Sequence, residues 1–146
     1  YTSPLARTLV GLSMTSFAIK MILQVGTIIP SLANAVFGYR PIIIGFLHLV
    51  FLGLVSFYIL SNYINGDIFS TGKKIARTAI IFFSSAIIIN ETILLVDGIG
   101  LMFYTTNPIY PWLLWIAAIL LLVGAILILT ARVRNFSATK SVAFES

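Results

Sequence analysis

The chain contains no cysteine, a single histidine and very little charge. Without cysteine it forms no disulfide and offers no thiolate to zinc or an iron–sulfur cluster. With His48 as its one imidazole it cannot supply a bis-histidine haem site by itself. Charged residues make up 9% of the chain, against about 25% in a soluble domain, and 60% of residues are hydrophobic, with mean hydropathy +1.09. A water-soluble core is excluded. Acid is scarcer than base: four Asp and Glu stand against nine Lys and Arg, a formal charge of +5. The basic residues flank apolar runs, so orientation and anionic lipid head groups account for them, and no nucleic-acid partner is expected. The 146 residues suit one small bundle and leave no room for a further soluble domain. No period of 20–50 residues repeats. The sequence opens on Tyr1, so it reads as processed, trimmed or part of a longer chain. Its first apolar run holds a lysine and is too long for the core of a signal peptide.

Four long apolar runs are present, over about residues 8–29, 41–60, 77–97 and 109–131. A helix rises about 1.5 Å per residue, so each run covers the roughly 30 Å hydrocarbon core of a bilayer. The expected fold class is an all-α integral membrane protein, four antiparallel transmembrane helices forming one bundle. Residues 31–39 read as an interfacial turn, and 61–71, with Asn62, Asn65, Gly66 and Asp67, as a polar loop. Residues 98–108 form a second loop without a basic residue. The last span opens with Tyr110, Trp112 and Trp115, an interfacial aromatic belt. A polar tail, 132–146, is expected to be cytoplasmic and mobile. Arg7, Lys73, Lys74, Arg77, Arg132, Arg134 and Lys140 share one side and Arg40 holds the other. The positive-inside rule therefore puts both termini in the cytoplasm, and a bacterial inner membrane is the expected location.

Span one carries Ser13, Ser16, Lys20, Gln24 and Thr27 at steps of three and four, one helical face. That stripe predicts a face turned toward protein or water, as do the polar faces of spans two and three. Span four has nothing polar between Trp115 and Thr130 and is expected to face lipid or another subunit.

Lys20, His48 and Glu91 interrupt the spans. A charge at the centre of a membrane helix costs roughly 2.5–3.5 kcal/mol on insertion scales, so such residues are functional candidates. Counted from the basic ends, all three lie around 18–21 Å deep. One reading is a buried polar site or proton relay of Lys20, Glu91, Asn90, Gln24 and Asp97, with Lys20 paired to Glu91 and His48 as proton carrier or metal ligand. A second is a structural ion pair that fixes helix register, with His48 bonded to a nearby carbonyl, and a third is unrelated contacts of these residues to other subunits. Asp97, seven residues from Asn90, reads either as the mouth of a polar path or as an interfacial carboxylate in water.

Several motif-like strings fail. GDIFSTGKK, residues 66–74, has the wrong glycine spacing for a phosphate-binding loop and ends in Lys where Ser or Thr is needed. Asn90-Glu91-Thr92 and Asn135-Phe136-Ser137 match glycosylation sequons, one inside a span and one on the cytoplasmic side. No nucleophile–base pair or complete metal site can be assembled, so the chain is not expected to be an enzyme on its own.

Residues 37–56, FGYRPIIIGFLHLVFLGLVS, place His48 in a span with Leu and Gly a few residues on. This stretch resembles helices of the haem-copper oxidase subunit I relatives, including NnrS-like membrane proteins, and uncharacterised multi-span membrane proteins of Bacteroidetes. The resemblance implies His48 as a candidate haem or metal ligand, in a chain that forms the C-terminal part of a longer bundle. Three functions stay open: a membrane subunit of a respiratory or redox-type assembly whose Lys/His/Glu site binds a cofactor or relays protons; a small proton or ion transporter or channel; and a purely structural accessory subunit. The expected partners are membrane lipids and other membrane subunits or copies of the chain itself.

Overall fold

The computed structural model describes residues 3–38, 40–66, 73–103, 105 and 107–144. All regular structure among them is helical: α1 (Pro4–Gly26), α2 (Pro30–Gly38), α3 (Arg40–His48), a π-helical segment (Leu49–Ser56), α4 (Phe57–Asn65), α5 (Lys73–Met102) and α6 (Tyr110–Phe144). Four helices are long and apolar enough to cross a membrane: Pro4–Gly26, Ile42–Asn65, Lys74–Met102 and Tyr110–Val133.

Local chemistry sets the ends. Ser3 precedes Pro4 at the first turn of α1, where a missing N–H costs nothing. The helix stops at Gly26 and Pro30 begins the next one. The stretch expected to be an interfacial turn is therefore the nine-residue helix α2. Asn107 Oδ1 accepts the Ile109 backbone N–H at 3.1 Å, capping the entry to α6, and Pro111 follows in its first turn. The tail expected to be mobile continues α6 through Phe144, because no Gly or Pro interrupts it after Arg132. Of the polar loop read at 61–71, residues 61–65 complete α4, and Asp67 to Thr71 lie outside the described residues.

Span two holds the largest departure from regularity. Its middle eight residues, Leu49–Ser56, are π-helical, with more residues per turn and carbonyls bonded five residues on. Two serines accompany the distortion. Ser56 Oγ donates to Phe51 O at 3.1 Å in its own helix, and Ser13 Oγ of α1 donates to Leu54 O at 2.8 Å.

Consecutive spans are neighbours: α1 packs on the π segment and α4, α3 packs on α5, and α5 packs on α6. For helices apolar enough to sit in lipid, side chains would gain little by leaving such a solvent, and close backbone approach would carry the packing. At Gly53 and Gly124 the approach is tight. A Cβ on Gly53 would lie 2.7 Å from Ser16 Oγ, and one on Gly124 would lie 2.9 Å from Phe83 Cδ2. Toward the basic end, Leu9, Phe57, Leu60, Ala76, Ile80, Ile87 and Ala131 gather contacts from all four spans into one buried cluster. Away from it the packing opens, and Ile22 and Val25 on α1 and Ile28 just after it are exposed. The exposed face of α6, including Trp112, Trp115, Leu122 and Leu129, accords with a span facing lipid or another subunit.

Candidate functional site

Contact pairs give the register. Across span two and α5, a Cβ on Gly98 would sit 3.2 Å from Ile42 Cγ1, and one on Gly45 would sit 3.6 Å from Leu94 Cβ. One further turn along these antiparallel helices sets His48 against Glu91. Across α1 and span two, Ser16 meets Gly53, so the next turn sets Lys20 level with Leu49. Across α5 and α6, Phe83 meets Gly124, so two turns on Asn90 is level with Ala117; both are buried. Lys20, His48 and Glu91 thus lie within one turn of a common level. The same arithmetic puts Arg7, Asn62 and Arg77 on one plane at the basic end, and Thr27, Asp97 and Tyr110 on another at the aromatic end. Glu91 stands 14 residues from Arg77, about 21 Å, so the site is nearer the aromatic end of a roughly 30 Å span.

The common depth does not make Lys20 and Glu91 partners. Lys20 Nζ donates to Gln24 Oε1 at 2.6 Å and approaches Met21 Sδ at 3.9 Å, both on its own helix. It also stands 6.0 Å from the centre of the Phe46 ring. The Glu91 carboxylate accepts a 3.4 Å contact from Asn90 Nδ2 and is level with His48 by the Gly45–Leu94 register. The expected Lys20–Glu91 ion pair is not made, because span two stands between α1 and that face of α5. The polar stripe of α1 divides in the same way: Ser13 and Ser16 are buried, Lys20 is half-buried, and Gln24 is exposed.

His48 is half-buried at the last position of α3, immediately before the π segment. Its Nδ1 lies 2.9 Å from Ile44 O, one turn back. A carbonyl only accepts, so Nδ1 carries a proton, and a ring in its neutral form would present Nε2 as a lone pair. This is the arrangement in which imidazole takes up a proton or ligates a metal through Nε2, with the other nitrogen fixing the ring. No group of three His, Cys, Asp or Glu side chains suited to a metal ion occurs among the described residues. A metal at His48 would draw its remaining ligands from elsewhere.

The site is therefore His48, Glu91 and Asn90, joined across α3 and α5. Asp97 is partly exposed at the aromatic end, level with Tyr110, seven residues from Asn90 along one face. Lys20 and Gln24 form a separate pair on α1. Sequence reasoning missed the π segment, which has no strong residue signature. It also missed the choice of neighbour, whose signal lay in the glycines: Gly45 and Gly98, small residues where two helices meet, fix the register that sets His48 on Glu91. No protein-family model, curated protein or solved structure matches this chain.

Proposed function

We propose that this chain is a membrane-embedded subunit, or the C-terminal part of a longer membrane protein, in a respiratory or redox-type assembly, and that His48 and Glu91 relay protons within it. The observation that carries the reading is an imidazole with an open Nε2 set level with a carboxylate on the facing helix by the Gly45–Leu94 register, inside two apolar helices. Nothing in packing requires two ionisable groups there, and each is costly in hydrocarbon. Together they form a donor–acceptor pair able to pass one proton, taken up at one partner and released from the other. The site's position about 10 Å from the aromatic end favours exchange with the water on that side. With the basic end cytoplasmic, as the charge distribution argues, in a bacterial inner membrane, that side is external.

A haem held through His48 Nε2 would be an alternative use of the same lone pair, and would supply one-electron transfer there in place of the relay. A second reading, a small proton or ion transporter, is favoured by the placement of Asp97 and Asn90 on one face of α5, leading from the aromatic boundary to Glu91.

The test is purification of the assembly with its absorption spectrum and proton flux in liposomes. A Soret band lost in His48→Ala supports the cofactor role. Flux that falls by about a hundredfold in Glu91→Gln, the low end for a lost proton-transfer group, supports the relay. A complex that retains full activity with both substitutions refutes both and leaves a structural accessory role.

A further inference from the structure

One buried hydroxyl breaks the pattern set by the others. On α5, Thr78, Ser85 and Thr92 are exposed, and each donates to the carbonyl four residues back, Lys74, Ile81 and Ile88, at 3.0, 2.9 and 2.7 Å. That bond is how a hydroxyl in an apolar environment satisfies itself. Ser84 is 8% exposed, yet its Oγ has no hydrogen-bond partner among the described residues. Its hydroxyl is therefore turned away from its own helix, and leaving it so costs about 1–3 kcal/mol. Buried groups of this kind are ordinarily satisfied by an internal water.

The position of Ser84 gives that water a use. Ser84 precedes Glu91 by seven residues, two turns of helix, and so shares its face. By the register that sets Gly45 on Leu94, Ser84 falls opposite the end of the π segment, near Val55 and Ser56. A π segment disturbs the regular backbone bonding of its helix, and here two serine hydroxyls already bond its carbonyls from Phe51 and Leu54. The Cα-to-Cα distance from Ser84 to Glu91 is about 10 Å, and helical side chains lean toward the N-terminus, which brings the Glu91 carboxylate toward Ser84. Two waters at hydrogen-bond spacing of about 2.8 Å would bridge what remains.

We infer that Ser84 holds a short water file against the π segment, and that this file is the inner arm of the relay, connecting Glu91 to the basic end of the protein. The inference rests on the relay reading of His48 and Glu91 and adds its direction. A proton entering near Asp97 passes through His48 and Glu91, moves down the water file and leaves toward the side of Arg77, with no net change in the groups it visits. Ser84 is a positioning residue, which orients water and does not itself ionise.

Two measurements on the purified full chain in lipid vesicles test this. The first replaces Ser84 or its lipid-facing neighbour Ser85 with cysteine and follows modification by methyl methanethiosulfonate. Thiolate forms only where water reaches, so Ser84→Cys should react at least about tenfold faster than Ser85→Cys. The second is proton flux. Ser84→Ala should lower it about tenfold, while Ser84→Thr, which keeps the hydroxyl, should retain it. Equal thiol reactivity at the two positions overturns the inference. So does a Ser84→Ala flux equal to wild type alongside a reduced Glu91→Gln flux, and the relay reading then survives. If Glu91→Gln also leaves flux unchanged, the relay reading fails, and the thiol contrast alone decides whether water stands at Ser84.

Discussion

Gly53→Ala should loosen α1 from span two, and Ser16→Gly should cancel most of the damage. The added methyl would stand 2.7 Å from Ser16 Oγ and 3.0 Å from Ser16 Cβ. Comfortable carbon contacts lie at about 3.5–4.0 Å, so the shortfall approaches 1 Å. Serine Cβ is fixed to the backbone of α1, so rotating the side chain relieves only the hydroxyl contact. The helices must separate, and the Ser13–Leu54 bond one residue away, 2.8 Å long, is stretched with them. Overpacking of this kind costs about 1–3 kcal/mol, and an interhelical bond in a membrane adds about 0.6 kcal/mol. Alanine's better helix propensity returns up to about 1 kcal/mol. The net loss should be about 1–2 kcal/mol. Ser16→Gly alone should cost about 0.5 kcal/mol through propensity. The double variant exchanges the small and the larger residue across one contact and should lie within about 1 kcal/mol of the original. The coupling is then well above the roughly 0.5 kcal/mol expected of independent sites. Reversible unfolding in bicelles, followed by steric trapping, measures all four proteins. Additive single losses, or a Gly53→Ala variant as stable as the parent, would sink the claim that this contact sets the helix separation.

The remaining predictions concern the other helix pairs, the site and the topology. Gly124→Ala should cost about 1–3 kcal/mol, since its Cβ would meet both the ring and the Cα of Phe83, at 2.9 and 3.1 Å; thermal unfolding in detergent reads this, and an unchanged midpoint contradicts it. Lys20→Met and Glu91→Gln should act additively on stability, within about 0.5 kcal/mol, because the two side chains have different partners; strong coupling in the double variant would show that they do meet. Cysteines at Lys74 and Pro108, at opposite ends of α5 and its following turn, should be labelled by an impermeant maleimide from opposite sides of the membrane, and labelling of both from one side refutes the topology.

Depth was legible in the sequence and neighbourhood was not. Counting from Arg7, Arg77 and the apolar boundaries placed Lys20, His48 and Glu91 at one level, and the contact register agrees. The pairing of Lys20 with Glu91 required knowing which faces of the three helices meet, and depth carries no information about rotation. Rotation here is set by Gly45 against Leu94, Gly53 against Ser16 and Gly124 against Phe83, contacts between positions that look unremarkable one at a time. The four spans were readable because each apolar run is long. Their true ends were less so: α5 begins at Lys73 and runs past Asp97 to Met102, since neither Lys nor Asp breaks a helix. The π segment lies in the most apolar part of span two, where composition favours a helix and says nothing of its pitch.

Lys20 and Glu91 show how one depth can impose two kinds of chemistry. Lys20 is seven residues short of the level of Thr27 and Tyr110, about 10 Å by helical rise. A lysine stem extends about 6 Å, and its ammonium can reach toward the head groups while the stem stays in hydrocarbon. The 2.6 Å bond to Gln24, one turn nearer the boundary, points the charge along that route. Exposure of Gln24 follows from the same arrangement. Glu91 has a stem half as long, and side chains on α5 lean toward the basic end, away from the near boundary. Reach is closed to it. A carboxylate at that depth is relieved by a proton or by an adjacent cation, and His48 is the group in range that can provide either. The ammonium of Lys20 is thus directed along α1 toward the aromatic end, and Glu91 stands level with the imidazole of the facing helix.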